Sequence, residues 1–198
     1  TVGAPHVRKG LAEVAKAFCS AFGPADDVGL VIKCPPIGTL GRRLWEYASV
    51  ADFLPDAREG QITLIEGVSS EDEMAALYRG ADVYVQASYG ESFGLAAVEA
   101  AGCAVPVITT NWGSAAAIFA ESAYLAEYDL IDAGAIGYDW QGRAPVHAAR
   151  PRVESLSALM RRAYENASER EEMSRRALAT AAQYTWQRTA AAIVSALA

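Results

Sequence analysis

The 198 residues are 52% apolar, enough for one α/β domain with a full core and barely enough for two small ones, and too apolar for a disordered chain. Acidic side chains outnumber basic ones by 24 to 17, a net charge of −7, which argues against non-specific nucleic-acid binding because that relies on basic patches. No apolar run is long enough to cross a bilayer and there is no charged-then-apolar leader, although peripheral membrane contact of a fuller protein is left open.

Cys19, Cys34 and Cys103 are odd in number and sit in apolar surroundings. They read as reduced, buried thiols of a cytoplasmic protein, not as a disulfide framework or a metal site. His6 and His147 match no metal-ligand spacing. The chain opens on Thr1, without a methionine, on what reads as the last residues of a strand (Thr1–Ala4). The expectation is a piece of a longer protein.

From there, short β-type runs alternate with helical stretches. Lys9–Phe22 places Leu11, Val14, Ala15, Phe18 and Phe22 at helical spacing. Val28–Lys33 is a continuous apolar run, Gly41–Leu54 is expected to be helical, and Ile62–Ile65 is a strand ended by Glu66-Gly67. Ser70-Glu71-Asp72-Glu73 is a capping-box pattern that opens a helix running to Arg79. Asp82–Ala87 is the next strand, Phe93–Cys103 a helix, Val105–Thr109 a strand, Ser114–Phe119 a short helix and Ala123–Ala126 a strand. Tyr128–Arg150, with scattered Gly, Pro and Asp, is expected to be a long surface loop. Helices at about Val153–Ala167, Glu169–Ala182 and Thr185–Leu197 follow. The alternation predicts one α/β domain over residues 1–198, a Rossmann-like parallel sheet with helices on both faces.

The stretch Ser88–Thr110 (SYGESFGLAAVEAAGCAVPVITT) holds two glutamates eight residues apart, Glu91 and Glu99, around a strand-to-helix step at Phe93-Gly94-Leu95. Ligands of open α/β sheets gather at the C-terminal ends of strands, and helix N-termini receive phosphates. Eight helical positions span roughly 12 Å, about the reach from a hexose to a ribose across a diphosphate. A nucleoside diphosphate sugar fits that layout, with hydroxyls at both ends and phosphates between them. Taken alone, Glu91 also reads as a helix-start carboxylate and Glu99 as a solvated helix residue. Against the second reading, Val98, Ala100 and Ala101 make a largely apolar setting in which an unpaired carboxylate would be costly.

The pattern S-x-x-E-x-F-G-L-x-x-x-E-A-x-x-x-x-x-P-V-I-x-T resembles the donor-binding signature of retaining glycosyltransferases of family 4, which have the GT-B fold. Val2-Gly3 followed by Arg8-Lys9-Gly10-Leu11, the run from Ile62 through Ala81-Asp82-Val83, and Tyr184-Thr185-Trp186 extend the resemblance over nearly the whole chain. The resemblance implies that Glu91 holds the donor sugar near the reacting carbon. The N–H groups of Phe93, Gly94 and Leu95 would hold the sugar and distal phosphate, Lys9 would neutralise the diphosphate, and Glu99 would take the ribose hydroxyls. Glu66-Gly67 would border the base, with Thr110 and Asn111 facing the donor.

The activity implied is transfer of a hexosyl unit from a nucleoside diphosphate sugar to an acceptor hydroxyl, with retention. The acceptor half would lie N-terminal to Thr1, so the isolated piece would bind donor weakly and transfer nothing. The donor is a substrate; no cofactor and no metal are expected, since no Asp-x-Asp motif is present.

Several positions depart from the pattern. Ala4 stands where many members carry an arginine, Ala104 where a glycine precedes Pro-Val-Ile, and Gly113-Ser114 and Ala117 where paired glycines and an acid are usual. Arg8 is free to point away, which leaves Lys9 the assigned cation, with Lys33 and His6 as further candidates. The rival readings are a degenerate nucleotide-sugar-binding or scaffold domain, or an epimerase or phosphorylase on the same fold. A nicotinamide-dependent dehydrogenase fails because no G-x-G-x-x-G follows a strand.

Overall fold

A computed structural model describes residues 1–4, 6–35, 61–137 and 146–197; the helix expected over Gly41–Leu54 lies outside them. A 3-10 turn at Val7–Lys9 leads through Gly10 into α1 (Leu11–Ala21). There follow β1 (Leu30–Cys34), β2 (Ile62–Glu66), α2 (Glu71–Arg79), β3 (Tyr84–Gln86), α3 (Leu95–Gly102) and β4 (Val107–Thr110). The chain continues through α4 (Gly113–Phe119), β5 (Tyr124–Ala126), β6 (Tyr128–Asp132) and β7 (His147–Pro151), then α5 (Val153–Glu165), α6 (Ala167–Ala181) and α7 (Trp186–Leu197).

The α/β alternation with parallel strands is as the sequence predicts, but the strands form two ladders instead of one sheet. β1 pairs with β2 in parallel, and β3, β4 and β5 form a second parallel ladder in that order. Val2 makes a parallel bridge to Lys33 at the edge of the first ladder.

The Ser70 capping box is complete. Ser70 Oγ accepts from the Glu73 N–H, and the Glu73 carboxylate accepts from the Ser70 N–H. That satisfies two of the donors a helix start leaves open.

The region Tyr128–Arg150, expected as an irregular loop, is instead bounded by β6 and β7 paired antiparallel, Tyr128 against Pro151 through Asp132 against His147. Asp132, Gly134 and Gly137 serve a 3-10 turn at Ala133–Ile136, where the Asp132 carboxylate accepts from the Gly134 N–H. These short polar strands carry little hydrophobic period, which is why the sequence reads as loop. The cysteines also differ from expectation: Cys34 is buried, whereas Cys19 and Cys103 are half-exposed. None of the three forms a disulfide.

Two cores flank the strands. On one face α1 and α5 bring Leu11, Val14, Phe18 and Leu156 against Ile32 and Ile108. On the other, the alanine-rich face of α3 (Ala97, Ala100, Ala101) packs with Tyr78, Tyr84, Phe119 and Ala177. A third cluster seats the β6–β7 hairpin, through Ala133, Ile136 and Ala148, on Tyr89 in the loop after β3. α7 buries none of its residues and exposes Trp186, Ile193, Val194 and Leu197.

Candidate functional site

Ligands of parallel sheets sit at the C-terminal ends of the strands; of the predicted residues, Lys9 and Glu91 meet after β3, with Thr110 linked to Glu91 through Ser88. The junction between the 3-10 turn and α1 decides the approach. His6 caps the turn, its Nδ1 accepting from the Arg8 N–H at 2.9 Å. Gly10 adopts φ +64°, and a Cβ there would lie 1.9 Å from the Ala87 carbonyl oxygen. Only glycine lets α1 start this close to the end of β3. The Tyr89 N–H then donates to the Arg8 carbonyl at 2.8 Å.

That contact brings both cations onto Glu91. Lys9 Nζ lies 2.5 Å from Glu91 Oε1, and Arg8 Nη1 lies 3.2 Å from Oε2 while also donating to the Gly90 carbonyl. Ser88 Oγ donates to Glu91 Oε1 at 2.9 Å, Ser114 Oγ donates to the Glu91 carbonyl at 2.9 Å, and the buried Thr110 hydroxyl donates to the Ser88 carbonyl. Burial of the Glu91 side chain, 13% exposed, pushes its pKa up. The hydrogen bond and charge of Lys9, with Arg8 and Ser88, outweigh that and hold it below the usual carboxylate range. Two cations against one carboxylate leave a net positive charge beside the loop.

Gly94 follows at φ +83° as the N-cap of α3, with no side chain capping the helix. The Ala97 and Val98 N–H groups turn back to the Gly94 carbonyl, while the first turn otherwise meets the site without a cap. Leu95 is exposed, and the Phe93 ring packs edge-on against Tyr184 at 5.4 Å. Of the two predicted carboxylates, Glu91 lies in the loop before α3 and Glu99 within the helix. Val98, Ala100 and Ala101 are buried but Glu99 faces out of α3, so the apolar setting read from its sequence neighbours lies on the opposite side of the helix. Its carboxylate accepts from the Tyr78 hydroxyl at 3.0 Å. Burial, ahead of the charges around it, pushes the Tyr78 hydroxyl's pKa up and keeps it a donor.

Glu66 is exposed at the end of β2, and Gly67 beside it, at φ +120°, has open space where a Cβ would stand. Val68 is 91% exposed. Lys33 is not available to a phosphate in this arrangement: it is only 4% exposed and donates to the Cys34 and Gly67 carbonyls, tying β1 to the turn after β2. Asn111 is exposed, its N–H donating to the Ala126 carbonyl, and Trp112 packs on Tyr128.

The sequence reading gave Ser88, Ser114 and Gln86 no role of their own and left Arg8 free to point away. Arg8 joins Lys9, and Ser88 and Ser114 hold Glu91. Gln86, 6% exposed in the last position of β3, has a buried Nε2 without a partner, 3.1 Å from where a Gly94 Cβ would sit. A glutamine inside the apolar run Val83–Ala87 was the available signal for it. Among the described residues no His, Cys, Asp and Glu side chains cluster as metal ligands, and no helix is long and apolar enough to cross a membrane.

Residues 57–135, which contain most of this site, match the family model for glycosyl transferases group 1. A D-inositol 3-phosphate glycosyltransferase of Paenarthrobacter aurescens is 33% identical over 139 residues, covering 70% of this chain and 29% of that relative. Anabaena HepE, solved in complex with UDP and glucose, superposes with a TM-score of 0.69 at 16% identity over 98% of this chain and 47% of its own. The C-terminal domain of a glycosyl transferase group 1 family protein from Francisella tularensis superposes with a TM-score of 0.63 at 19% identity, over 92% and 83% of the two chains. The chain thus spans under a third of the curated relative's length. It resembles the C-terminal domain of a GT-B glycosyltransferase, with the group 1 glycosyl transferase match running from residue 57 to 135.

Proposed function

We propose that residues 1–198 form the donor-binding half of a longer, two-domain retaining glycosyltransferase that transfers a hexosyl unit from a nucleoside diphosphate sugar in the cytoplasm. The observation that carries this reading is the Arg8–Lys9–Glu91 cluster beside the uncapped start of α3. A diphosphate entering there would meet two cations and helix N–H groups. It would take Lys9 and Arg8 from Glu91, freeing that carboxylate to accept hydrogen bonds from the sugar hydroxyls. The N–H groups of Phe93, Gly94 and Leu95 would hold the distal phosphate and the sugar, with the unpartnered Gln86 amide as a further donor.

Charge builds on the leaving diphosphate as the glycosidic bond breaks. The cations would therefore act most strongly in the transition state. Glu99, held by Tyr78, would accept from both ribose hydroxyls, and Glu66-Gly67 would border the base. The acceptor and its binding residues belong to the other half, and the exposed apolar stripe of α7 gives that half a surface to pack on.

The rival is a degenerate domain that has lost donor binding, suggested by Ala4, Ala104 and Ala117. Arg8 weakens it, because a second cation occupies the site although Ala4 replaces the usual arginine. Calorimetry with UDP, GDP and ADP separates the two readings. Binding of one diphosphate, weakened about tenfold or more by Lys9→Ala and by Glu99→Ala (the loss of one charge-assisted hydrogen bond), is expected. Absence of binding by all three supports the degenerate domain.

A further inference from the structure

Tyr89, two residues before Glu91, makes three polar contacts, and each goes to a different element. Its N–H donates to the Arg8 carbonyl at 2.8 Å, and its carbonyl accepts from the Ala149 N–H at 2.8 Å. Its hydroxyl donates to Glu13 Oε1 at 2.7 Å. The ring is 3% exposed, packed among Ala133, Ile136 and Ala148. β7 therefore has β6 on one edge and Tyr89 on the other. Burial, ahead of the Glu13 charge, pushes the hydroxyl's pKa up and keeps it a donor, while the charge of Arg150 on β7 acts the other way. A hydroxyl that donates to a carboxylate makes one of the stronger hydrogen bonds in a protein.

The two bonds that Tyr89 sends to the N-terminal segment fall on either side of Lys9. Arg8 precedes it, and Glu13 lies in the first turn of α1. Residues 8 to 13 are thus fixed at both ends against the loop that carries Glu91. Arg8 closes the frame, its guanidinium donating to the Gly90 carbonyl at 2.6 Å. A tyrosine serving the hairpin cluster alone could meet its hydroxyl with any acceptor; this one uses the helix that follows Lys9.

We propose that Tyr89 is a positioning residue: with Glu13 and the β6–β7 hairpin behind it, Tyr89 sets where Lys9 and Arg8 stand against Glu91 and, through them, the strength of the diphosphate site. Loss of the hydroxyl lets the start of α1 shift, and both ion pairs at Glu91 lengthen. The consequence for binding rests on the donor site proposed above; the effect on Glu91 does not.

Tyr89→Phe, Glu13→Ala and Glu13→Gln test it, read by carbon NMR titration of the Glu91 carboxyl in the 198-residue chain. The first two are expected to raise the Glu91 pKa toward its ordinary 4.5, because the ion pairs that hold it down are displaced. Glu13→Gln keeps an acceptor for the Tyr89 hydroxyl and should titrate as the parent does. A lower Tm in Tyr89→Phe and Glu13→Ala with an unmoved Glu91 titration overturns the proposal, since a packing role alone gives that result. So does a rise in Glu13→Gln as large as in Glu13→Ala, which leaves the hydrogen bond without a part. If Tyr89→Phe does not fold, the Glu13 pair carries the test from the half-exposed side of α1.

Calorimetry with UDP, GDP and ADP on the same variants reads the second half. The diphosphate that binds the parent should bind Tyr89→Phe and Glu13→Ala about threefold to tenfold more weakly, the size of one lost hydrogen bond, and Glu13→Gln as the parent does. Unchanged affinity in both weakened variants overturns the proposal. Binding of none of the three by the parent removes the donor site instead, and the Glu91 titration still decides the role of Tyr89.

Discussion

Glu91 is held by more partners than any other carboxylate of the site, and its electrostatics have a sign that can be measured. Its folded pKa lies below the ordinary value of 4.5 because Lys9, Arg8 and Ser88 outweigh its burial. The unfolded chain therefore takes up the proton first as pH falls. The stabilisation is complete above about pH 5 and is lost as pH drops through the folded value. Glu91→Gln is expected to lower Tm at pH 7, with the gap to the parent closing below pH 4; thermal melts across that range check it, and a constant gap would place the effect elsewhere.

Gln86 has the opposite balance. Its buried, unpartnered Nε2 costs about 1–3 kcal/mol of desolvation, so Gln86→Leu should raise stability in urea titrations while weakening diphosphate binding. Greater stability with unchanged affinity would remove Gln86 from the site. At Gly10, a Cβ meets the Ala87 carbonyl and a left-handed backbone together. Gly10→Ala should cost about 2 kcal/mol or more, since the left-handed conformation alone costs roughly 1–2 kcal/mol, and it should also weaken nucleotide binding by displacing Lys9.

Among the elements, α3 couples core packing to the site. Its buried face is built of Ala97, Ala100 and Ala101, small enough for α6 to lie close, and its first turn opens on the candidate phosphate position. The helix ends at Gly102 with Cys103 as its C-cap, and Ala104 then takes φ +59°, the left-handed position where a helix normally places glycine. Ala104→Gly is expected to stabilise the fold by about 1 kcal/mol and raise Tm by about 2–4 °C; an unchanged or lower Tm would show that the strain is relieved otherwise. Because the strained residue sits beyond the helix C-terminus, nucleotide affinity should stay constant.

At the scale of the whole molecule, the site is assembled from segments far apart in the chain. Lys9 and Glu91 are separated by 82 positions. With donor and acceptor present, the 198-residue chain is expected to bind the diphosphate yet show no transfer, because the proposal places the acceptor in the other half. Turnover by this chain in a product assay would overturn that division.

The alternation of elements, the Ser70 cap and the Ser88–Thr110 motif were legible in the sequence, since each depends on local period, local hydrogen bonding or contiguous residues. The β6–β7 hairpin was not, because its short strands are fixed by pairing with each other and by packing on Tyr89. Tertiary structure alone decided that Arg8 converges on Glu91, that Lys33 is occupied by carbonyls, that Glu99 turns outward to Tyr78, and that the parallel strands form two ladders. Each is a contact between distant segments, set by packing geometry that one-dimensional periodicity does not encode.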